Sequence, residues 1–320
     1  MLDSDFVSEA VQIAKASGEF VKMVWTREDD MKGGYYRGFF VHNVKVGLSN
    51  NGLPVAWQHN IVGQSIMETQ MPSKEENRID DSSVEGVNNS PYLDAIPNHF
   101  VGLHTTREII PVLWYRSVGN THTAYAMEVM IDIAAHAANQ DPVQYRRTLL
   151  KGHDRHLSAL NLATEKAGWK KNLPAGHFHG VAVHEAFQSF VAQVIEISMV
   201  DGKPKVHKVT LAIDCGLAVN PDGVVAQMES GIIWGLTMAL YSELTVDKGE
   251  VQQNNFYDYK ILRMFETPEI DVHIVDSNEK MGGAGEPCVP PTAPALSNAI
   301  FAATGKRIYE LPVMNHFTTI

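Results

Sequence analysis

The strongest candidate for chemistry in this sequence is a glycine-rich segment that ends in a carboxylate. Residues 281–287 read Met-Gly-Gly-Ala-Gly-Glu-Pro. Three glycines, Gly282, Gly283 and Gly285, let the backbone approach a ligand closely, and their N–H groups can form an anion-binding nest. Glu286 follows in a loop that leads to an apolar helix, where a carboxylate can act as a general base. The alternative is a tight turn whose glutamate caps the next helix.

A second candidate lies at residues 115–122, which read Tyr-Arg-Ser-Val-Gly-Asn-Thr-His. Arg116 is followed by Ser117 and Gly119 and then by the start of a helix. Backbone N–H groups at a helix start suit an oxo or phosphate ligand. An ordinary capped helix with a surface arginine remains the alternative.

A third candidate begins at the turn Asp214–Pro221 and continues into a helix that carries Gln227. From the first turns of this helix, Gln227 can donate to a ligand. It can equally be a buried glutamine that satisfies a loop carbonyl.

The sequence motifs give little support for other kinds of catalytic site. His177, His179 and His184 are the tightest group of histidines, but no His-Glu-x-x-His pattern accompanies them, so we predict no metal ligands. No Gly-x-Ser-x-Gly, Gly-x-Gly-x-x-Gly or P-loop pattern occurs. Cys288 is interpreted as an inert buried thiol.

Composition narrows the class of protein. The chain has 320 residues, 26 Lys+Arg and 37 Asp+Glu, a formal net charge of −11. This balance disfavours nucleic acid as a partner. Hydrophobic residues make up 44% and charged residues 20%, which is typical of a folded protein. With two cysteines, Cys215 and Cys288, a disulfide scaffold or a thiolate-bound iron–sulfur cluster is excluded.

No apolar stretch approaches the roughly 18–20 residues of a membrane span, so we expect no membrane-spanning segment. The first residues lack the pattern of a signal peptide. Both a periplasmic and a cytoplasmic location of the parent enzyme are compatible with the sequence.

The order of predicted elements favours an α+β fold with mixed sheets and packed helices. We expect a buried strand at Phe20–Trp25, a hairpin turning at Asn51-Gly52 and a surface loop at Met71–Pro91. We expect paired strands at Gly180–Val200 and Lys205–Ile213, and a strand at Glu269–Val275. Helices are predicted at Ser4–Ser17, Thr121–Ala138, from Asp141-Pro142, Arg155–Ala167, Pro221–Ala239 and Pro291–Thr304. A domain boundary is expected between residues 1–175 and 176–320.

Taken together, the three candidates resemble the molybdenum hydroxylases, the xanthine dehydrogenase and aldehyde oxidase superfamily. The Gly-Glu-Pro segment at 282–295 and the continuation 298–307 carry the resemblance. It is nearest to the large (beta) subunit of isoquinoline 1-oxidoreductases and related molybdenum-dependent aldehyde dehydrogenases. Segments 25–31, 114–119, 214–216, 220–221 and 227–229 match that branch in the same order.

The resemblance implies a molybdenum–molybdopterin cofactor, in its cytosine dinucleotide form, and the fold of the xanthine dehydrogenase molybdenum-binding region. The same resemblance implies that Glu286 is the catalytic base in the hydroxylation of an aldehyde or N-heteroaromatic compound, with water as the oxygen source. The resemblance also implies that the residues in contact with the cofactor are Arg116, Ser117, Gly119, Gln227, Gly282, Gly283 and Gly285. An iron–sulfur small subunit is the implied partner.

Two departures from the family pattern matter. The segment Arg116–Gly119 reads Arg-Ser-Val-Gly where xanthine dehydrogenases have Arg-Gly-Phe-Gly, so purines are not the expected substrate. The upstream glycine loops of this branch are absent, and we expect this chain to be the C-terminal part of a larger subunit that lacks its N-terminal half. Two alternatives stay open: a cofactor-free folded module that binds or assembles, and a hydrolase.

Overall fold

The computed structural model describes residues 5–70, 79–171 and 173–317. Its helices are α1 Asp5–Ser17, α2 Arg27–Gly33, α3 Ile66–Gln70, α4 Pro91–Asp94, α5 Asn120–Ala137, α6 Pro142–Leu149, α7 Asp154–Lys166, α8 Pro221–Leu240 and α9 Thr292–Thr304. Its strands are β1 Phe40–Leu48, β2 Pro54–Gln64, β3 Asn98–Thr106, β4 His177–Ala186, β5 Ser189–Val200, β6 Lys203–Asp214, β7 Val246–Asp247, β8 Glu250–Val251 and β9 Glu269–Ile274.

The N-terminal region corrects one prediction. The buried strand expected at Phe20–Trp25 is wrong, because this segment has no regular secondary structure and Phe20 and Val24 are exposed. Its apolar residues are typical of a strand, but among the described residues no strand pairs with it to supply the backbone partners that a strand requires. Helix α1 is present as predicted, although none of its described residues is buried.

The predicted hairpin is confirmed in the first sheet. Strands β1 and β2 pair antiparallel, and Gly52 at their turn has a φ of +79°, which a glycine adopts without a steric penalty. Strand β3 adds to β2 in parallel and completes a three-stranded sheet. Of the loop expected at 71–91, residues 71–78 lie outside the described part. For the remainder the surface-loop prediction is wrong: it forms a 3-10 turn at Asp81–Ser83, buries Val84 and Val87 in a core cluster and leads to α4.

The second sheet has the order β4–β5–β6–β9. Here the single strand expected over Gly180–Val200 is wrong, since the chain reverses at Phe187 and Gln188 and forms the antiparallel pair β4 and β5. Both turn residues have positive φ, +55° and +63°. Phenylalanine and glutamine are not turn-forming residues, so the sequence carried no signal for this reversal.

Helices cover both faces of this second sheet. Helices α8 and α9 pack with Ile195, Leu211 and Ile213 in one core cluster. Helices α5 and α7 pack with Val181, Val183 and other residues of the opposite face in a second cluster. The α+β class is confirmed. The boundary at 175 stays a prediction, and helix α7 from before it packs on β5 and β6 from after it.

Helix α8 is the one described helix that is long and apolar enough to cross a membrane, judged by length and composition. Half of that apolar stretch is buried inside the protein, where Met228, Ile232 and Leu236 are inaccessible to solvent. A core helix of a globular protein meets the same criterion, so the feature is weak evidence for a membrane span.

Candidate functional site

Glu286 lies in the loop between β9 and α9, and its carboxylate turns towards the start of α5. The backbone N–H of Ser117 donates to Glu286 Oε1 at 3.0 Å, and the Ser117 hydroxyl donates to the Glu286 carbonyl oxygen. Helix α9 has no side-chain capping bond at its first turn. The alternative in which Glu286 caps the helix that follows it is therefore wrong.

Arg116 joins three segments that are far apart in the sequence. Its Nε donates to the Gly285 carbonyl oxygen at 2.8 Å, its Nη1 to Ser230 Oγ at 3.0 Å and its Nη2 to Gln227 Oε1 at 3.1 Å. Arg116 and Gly285 are separated by 169 positions in the chain. The guanidinium thus fixes the Gly-Glu-Pro loop against the second turn of α8, and Arg116 is not a free surface arginine.

The loop around Ser117 has an unusual backbone. Ser117 has a φ of +75° and Val118 a φ of +48°, the left-handed region that costs a non-glycine residue about 1–3 kcal/mol. A β-branched residue there is a genuine outlier. Strain of this kind persists where surrounding contacts hold it, and it clusters at functional sites. By the resemblance above, Ser117 stands where xanthine dehydrogenases have the first glycine of Arg-Gly-Phe-Gly.

Gly119, the last residue of this loop, packs tightly against the backbone of Ser82. A Cβ at Gly119 would stand 1.8 Å from the carbonyl oxygen of Ser82. Its N–H donates to Glu85 Oε1 at 2.8 Å. Glu85 was not predicted from the sequence, because no spacing rule relates residue 85 to residue 119.

The glycines of the Gly-Glu-Pro loop differ in what they can offer a ligand. Gly282 N–H donates to the Cys215 carbonyl oxygen at 3.0 Å and Gly283 N–H to the Phe187 carbonyl oxygen at 2.8 Å. These two N–H groups are therefore engaged within the protein and do not form an open nest. Gly285 is exposed, and the nearest atom to a Cβ there would be Gln227 Oε1 at 3.9 Å. A ligand can approach the backbone at Gly285.

Gln227 is exposed on the second turn of α8, so the buried-glutamine alternative is wrong. Within the described chain its amide nitrogen has no hydrogen-bond partner, while Oε1 accepts from Arg116. The side chain is thus held at one end with its donor free. Its contact with a cofactor stays a prediction, as do those of Arg116, Ser117, Gly119 and the three glycines.

The interpretation of Cys288 as an inert thiol is supported by its surroundings. Burial raises the pKa of Cys288 to about 12. Its Sγ donates to the Met228 carbonyl oxygen at 3.3 Å, and Gln193 Nε2 donates to the Cys288 carbonyl oxygen at 2.7 Å. Gly231 of α8 packs directly against it. Cys288 anchors the Gly-Glu-Pro loop to α8 and β5.

The histidine group does not form a single site. His177 Nδ1 lies 2.6 Å from a Glu196 carboxylate oxygen, whereas His184 Nε2 bonds to Asn120 Oδ1 at 2.8 Å. Across residues 5–70, 79–171 and 173–317, no cluster of three or more His, Cys, Asp or Glu side chains could hold a metal ion.

Comparison with known proteins identifies the family of this chain. Residues 6–150 and residues 123–268 each match a family model described as a molybdopterin cofactor-binding domain. The chain is 29% identical over 318 residues to isoquinoline 1-oxidoreductase subunit beta of Brevundimonas diminuta, covering 98% of this chain and 41% of that protein. It is also 29% identical over 343 residues to a membrane-bound aldehyde dehydrogenase [pyrroloquinoline-quinone] of Gluconacetobacter polyoxogenes, covering 98% and 44%.

The fold is shared with solved structures. Quinoline 2-oxidoreductase from Pseudomonas putida 86 superimposes with a TM-score of 0.74 over 94% of this chain and 64% of that chain, at 13% sequence identity. The chain spans less than half the length of the two curated relatives. With molybdopterin-binding models matched from residue 6 to residue 268, the chain belongs to the molybdenum hydroxylase superfamily of xanthine dehydrogenases and aldehyde oxidases, as part of its molybdopterin-binding region.

Proposed function

We propose that this chain supplies the general base for a molybdenum-dependent hydroxylation in which water provides the oxygen atom and Glu286 accepts the proton. The observation that carries the proposal is the set of bonds that converge on one loop. Arg116 binds the carbonyl of Gly285, and Ser117 binds the carboxylate of the next residue, Glu286. A base must be held in a defined position, and here both the backbone and the carboxylate are held.

The two oxygens of Glu286 have different roles in this proposal. Oε1 accepts the Ser117 N–H, whereas Oε2 has no hydrogen-bond partner among the described residues. Glu286 is partly exposed, so Oε2 can receive a proton from a reactant beside the loop. The hydrogen bond from Ser117 fixes the plane of the carboxylate. Oε2 is then free to accept the proton that the water-derived oxygen loses when it attacks the substrate.

The residues present fit a molybdenum–pterin cofactor. The backbone at Gly285 is exposed, with Gln227 Oε1 the nearest atom to a Cβ there at 3.9 Å, and the Gln227 amide nitrogen has a free donor among the described residues. Arg116 adds a positive charge in the same place, which suits an anionic group. When bound, this cofactor supplies the two-electron redox chemistry. Arg116 and Gln227 would hold it, and Glu286 would act beside it. The cytosine dinucleotide form is part of the proposal.

The proposed substrate is an aldehyde or an N-heteroaromatic compound. Both present an electrophilic carbon to an attacking oxygen and need one base. The relatives named for isoquinoline and aldehyde oxidation support this choice. So does Val118, which stands where the resemblance to xanthine dehydrogenases places a phenylalanine.

We further propose that activity needs the remaining part of the large subunit and an iron–sulfur small subunit. The chain spans 41% of the isoquinoline 1-oxidoreductase subunit. The chain has two cysteines, Cys215 and Cys288, fewer than the four thiolates that hold an iron–sulfur cluster. Electrons would leave through the partner. The competing function is a folded module that binds no cofactor.

Molybdenum and pterin analysis distinguishes these functions. The chain is purified alone, and again after co-expression with the remaining large-subunit segment and small subunit of an isoquinoline 1-oxidoreductase-type enzyme. We expect stoichiometric molybdenum in the assembled sample, with oxygen from ¹⁸O-labelled water in the product of a quinoline or benzaldehyde. An assembled, folded complex without molybdenum would support the cofactor-free module and contradict the proposal.

A further inference from the structure

We propose that Glu85 is a positioning residue for Glu286 and acts through the strained loop 116–119. The proposal rests on the function proposed above and adds a second carboxylate to the same site. Glu85 follows the 3-10 turn Asp81–Ser83 and is partly buried. Neither its position nor its neighbours in the sequence indicate a role near residue 286.

Glu85 contacts the loop 116–119 directly. Glu85 Oε1 accepts the Gly119 N–H at 2.8 Å. A Cβ at Gly119 would lie 3.1 Å from Glu85 Cγ, in addition to its 1.8 Å approach to Ser82. Residues 82–85 and the loop are therefore in close contact, and a change at residue 85 acts on Gly119 directly.

The contact also involves the start of α5. Gly119 is the residue before this helix and has no side chain that could cap it. The Glu85 carboxylate, from another segment, accepts the Gly119 N–H beside the helix start, and the Asn120 N–H also stabilises its charge. A carboxylate bound to N–H groups at a helix N-terminus makes stronger bonds than a neutral acceptor. Glu85 thus fixes Gly119, the residue that directly follows the strained residues Ser117 and Val118.

The loop 116–119 links both carboxylates. Glu286 accepts the Ser117 N–H, and Glu85 accepts the Gly119 N–H two positions later. With positive φ at Ser117 and Val118, the direction of the Ser117 N–H depends on where Gly119 is held. Glu85 therefore sets the donor that orients the base, without touching substrate or cofactor.

The two carboxylates also interact through their charges. Burial, and then the charges of Asp80 and Glu286, raise the pKa of Glu85, whereas the N–H groups of Gly119 and Asn120 oppose that shift. The two carboxylates therefore lie close enough for the charge on Glu286 to act on Glu85.

The test uses three variants of the full chain. Glu85→Gln removes the charge and keeps an acceptor oxygen, and Glu85→Ala removes both. Asp81→Asn is the matched control, because it removes an exposed carboxylate from the adjoining turn. The readouts are the backbone amide NMR shifts of Ser117 and Gly119 in the chain, and kcat and KM in the assembled enzyme.

We expect Glu85→Ala to shift both amide resonances and Glu85→Gln, which keeps an acceptor oxygen, to shift them less, with Asp81→Asn like the parent chain. In the assembled enzyme, Glu85→Ala should lower kcat by roughly tenfold to 100-fold with little change in KM, and Glu85→Gln should restore part of that loss. Unchanged Ser117 and Gly119 resonances in both Glu85 variants would overturn the proposal. NMR changes as expected in an enzyme whose rate is insensitive to Glu286→Gln would keep the positioning role and reject Glu286 as the base.

Discussion

At the scale of single residues, this site is defined by what holds its carboxylate. Motif resemblance selected Arg116, Ser117, Gln227 and Glu286 from the sequence. It could not reveal that Ser117 donates to Glu286, since the two are 169 positions apart and only the fold brings them together. Glu85 escaped notice for the same reason. Residue types indicate candidate chemistry, whereas hydrogen-bond partners over long sequence distances depend on packing.

The backbone at Ser117 provides a prediction that tests the strained loop. Ser117→Ala removes the hydroxyl that donates to Glu286 and keeps a side chain at a φ of +75°. Ser117→Gly removes the same bond and relieves the backbone. We expect the glycine variant to have a free energy of unfolding about 1 kcal/mol higher than the alanine variant, measured by urea denaturation.

The same pair of substitutions at Ser158 is the control. Ser158 is exposed within α7, where glycine is about 1 kcal/mol less favourable than alanine, so the order of the two variants should reverse. Equal or higher stability of Ser117→Ala than of Ser117→Gly would mean that the loop does not adopt the left-handed conformation.

At the scale of elements, long periodic helices and strands with turn signals were predictable. The Asn220 side chain accepts the Gly223 N–H at the start of α8, and Asp141 caps α6 with Pro142 in the first turn. The turn at Phe187-Gln188 was not predictable, because its residues favour no turn and adopt positive φ only under the pairing of β4 with β5. The isolated segment at 20–25 shows the converse, a strand-like pattern without a strand partner.

The packing of α9 on β4 gives the prediction at this scale. Helix α9 follows the Gly-Glu-Pro loop, and a Cβ at Gly180 would lie 2.1 Å from the Ala295 carbonyl oxygen and 2.2 Å from the Ala299 nitrogen. These are backbone atoms and cannot rotate away. We expect Gly180→Ala to lower the free energy of unfolding by about 3 kcal/mol in urea denaturation, because the whole helix must shift.

Gly47→Ala serves as the comparison, since a Cβ at this strand glycine would meet Ala56 at an ordinary 3.5 Å. Its effect should stay within about 0.5 kcal/mol. Similar stabilities for the two alanine variants would show that α9 does not dock on β4 through Gly180.

At the scale of the whole molecule, the candidate site lies where the chain's distant parts meet. The loop before α5, the second turn of α8 and the segment before α9 converge through Arg116. The helices that carry them pack on opposite faces of one sheet, so the site depends on the complete arrangement. The sequence resemblance identified the family, and matches at residues 6–150 and 123–268 support it.

The assignment of Glu286 as the base is tested by the rate of substrate hydroxylation by Glu286→Gln in the assembled enzyme, normalised to molybdenum and pterin content. Glutamine keeps an oxygen that can accept the Ser117 N–H and loses the ability to take a proton. We predict unchanged cofactor content and a loss of about 10²–10⁴-fold in kcat. A rate near that of the parent enzyme, with equal cofactor content, would contradict the assignment of Glu286 as the base.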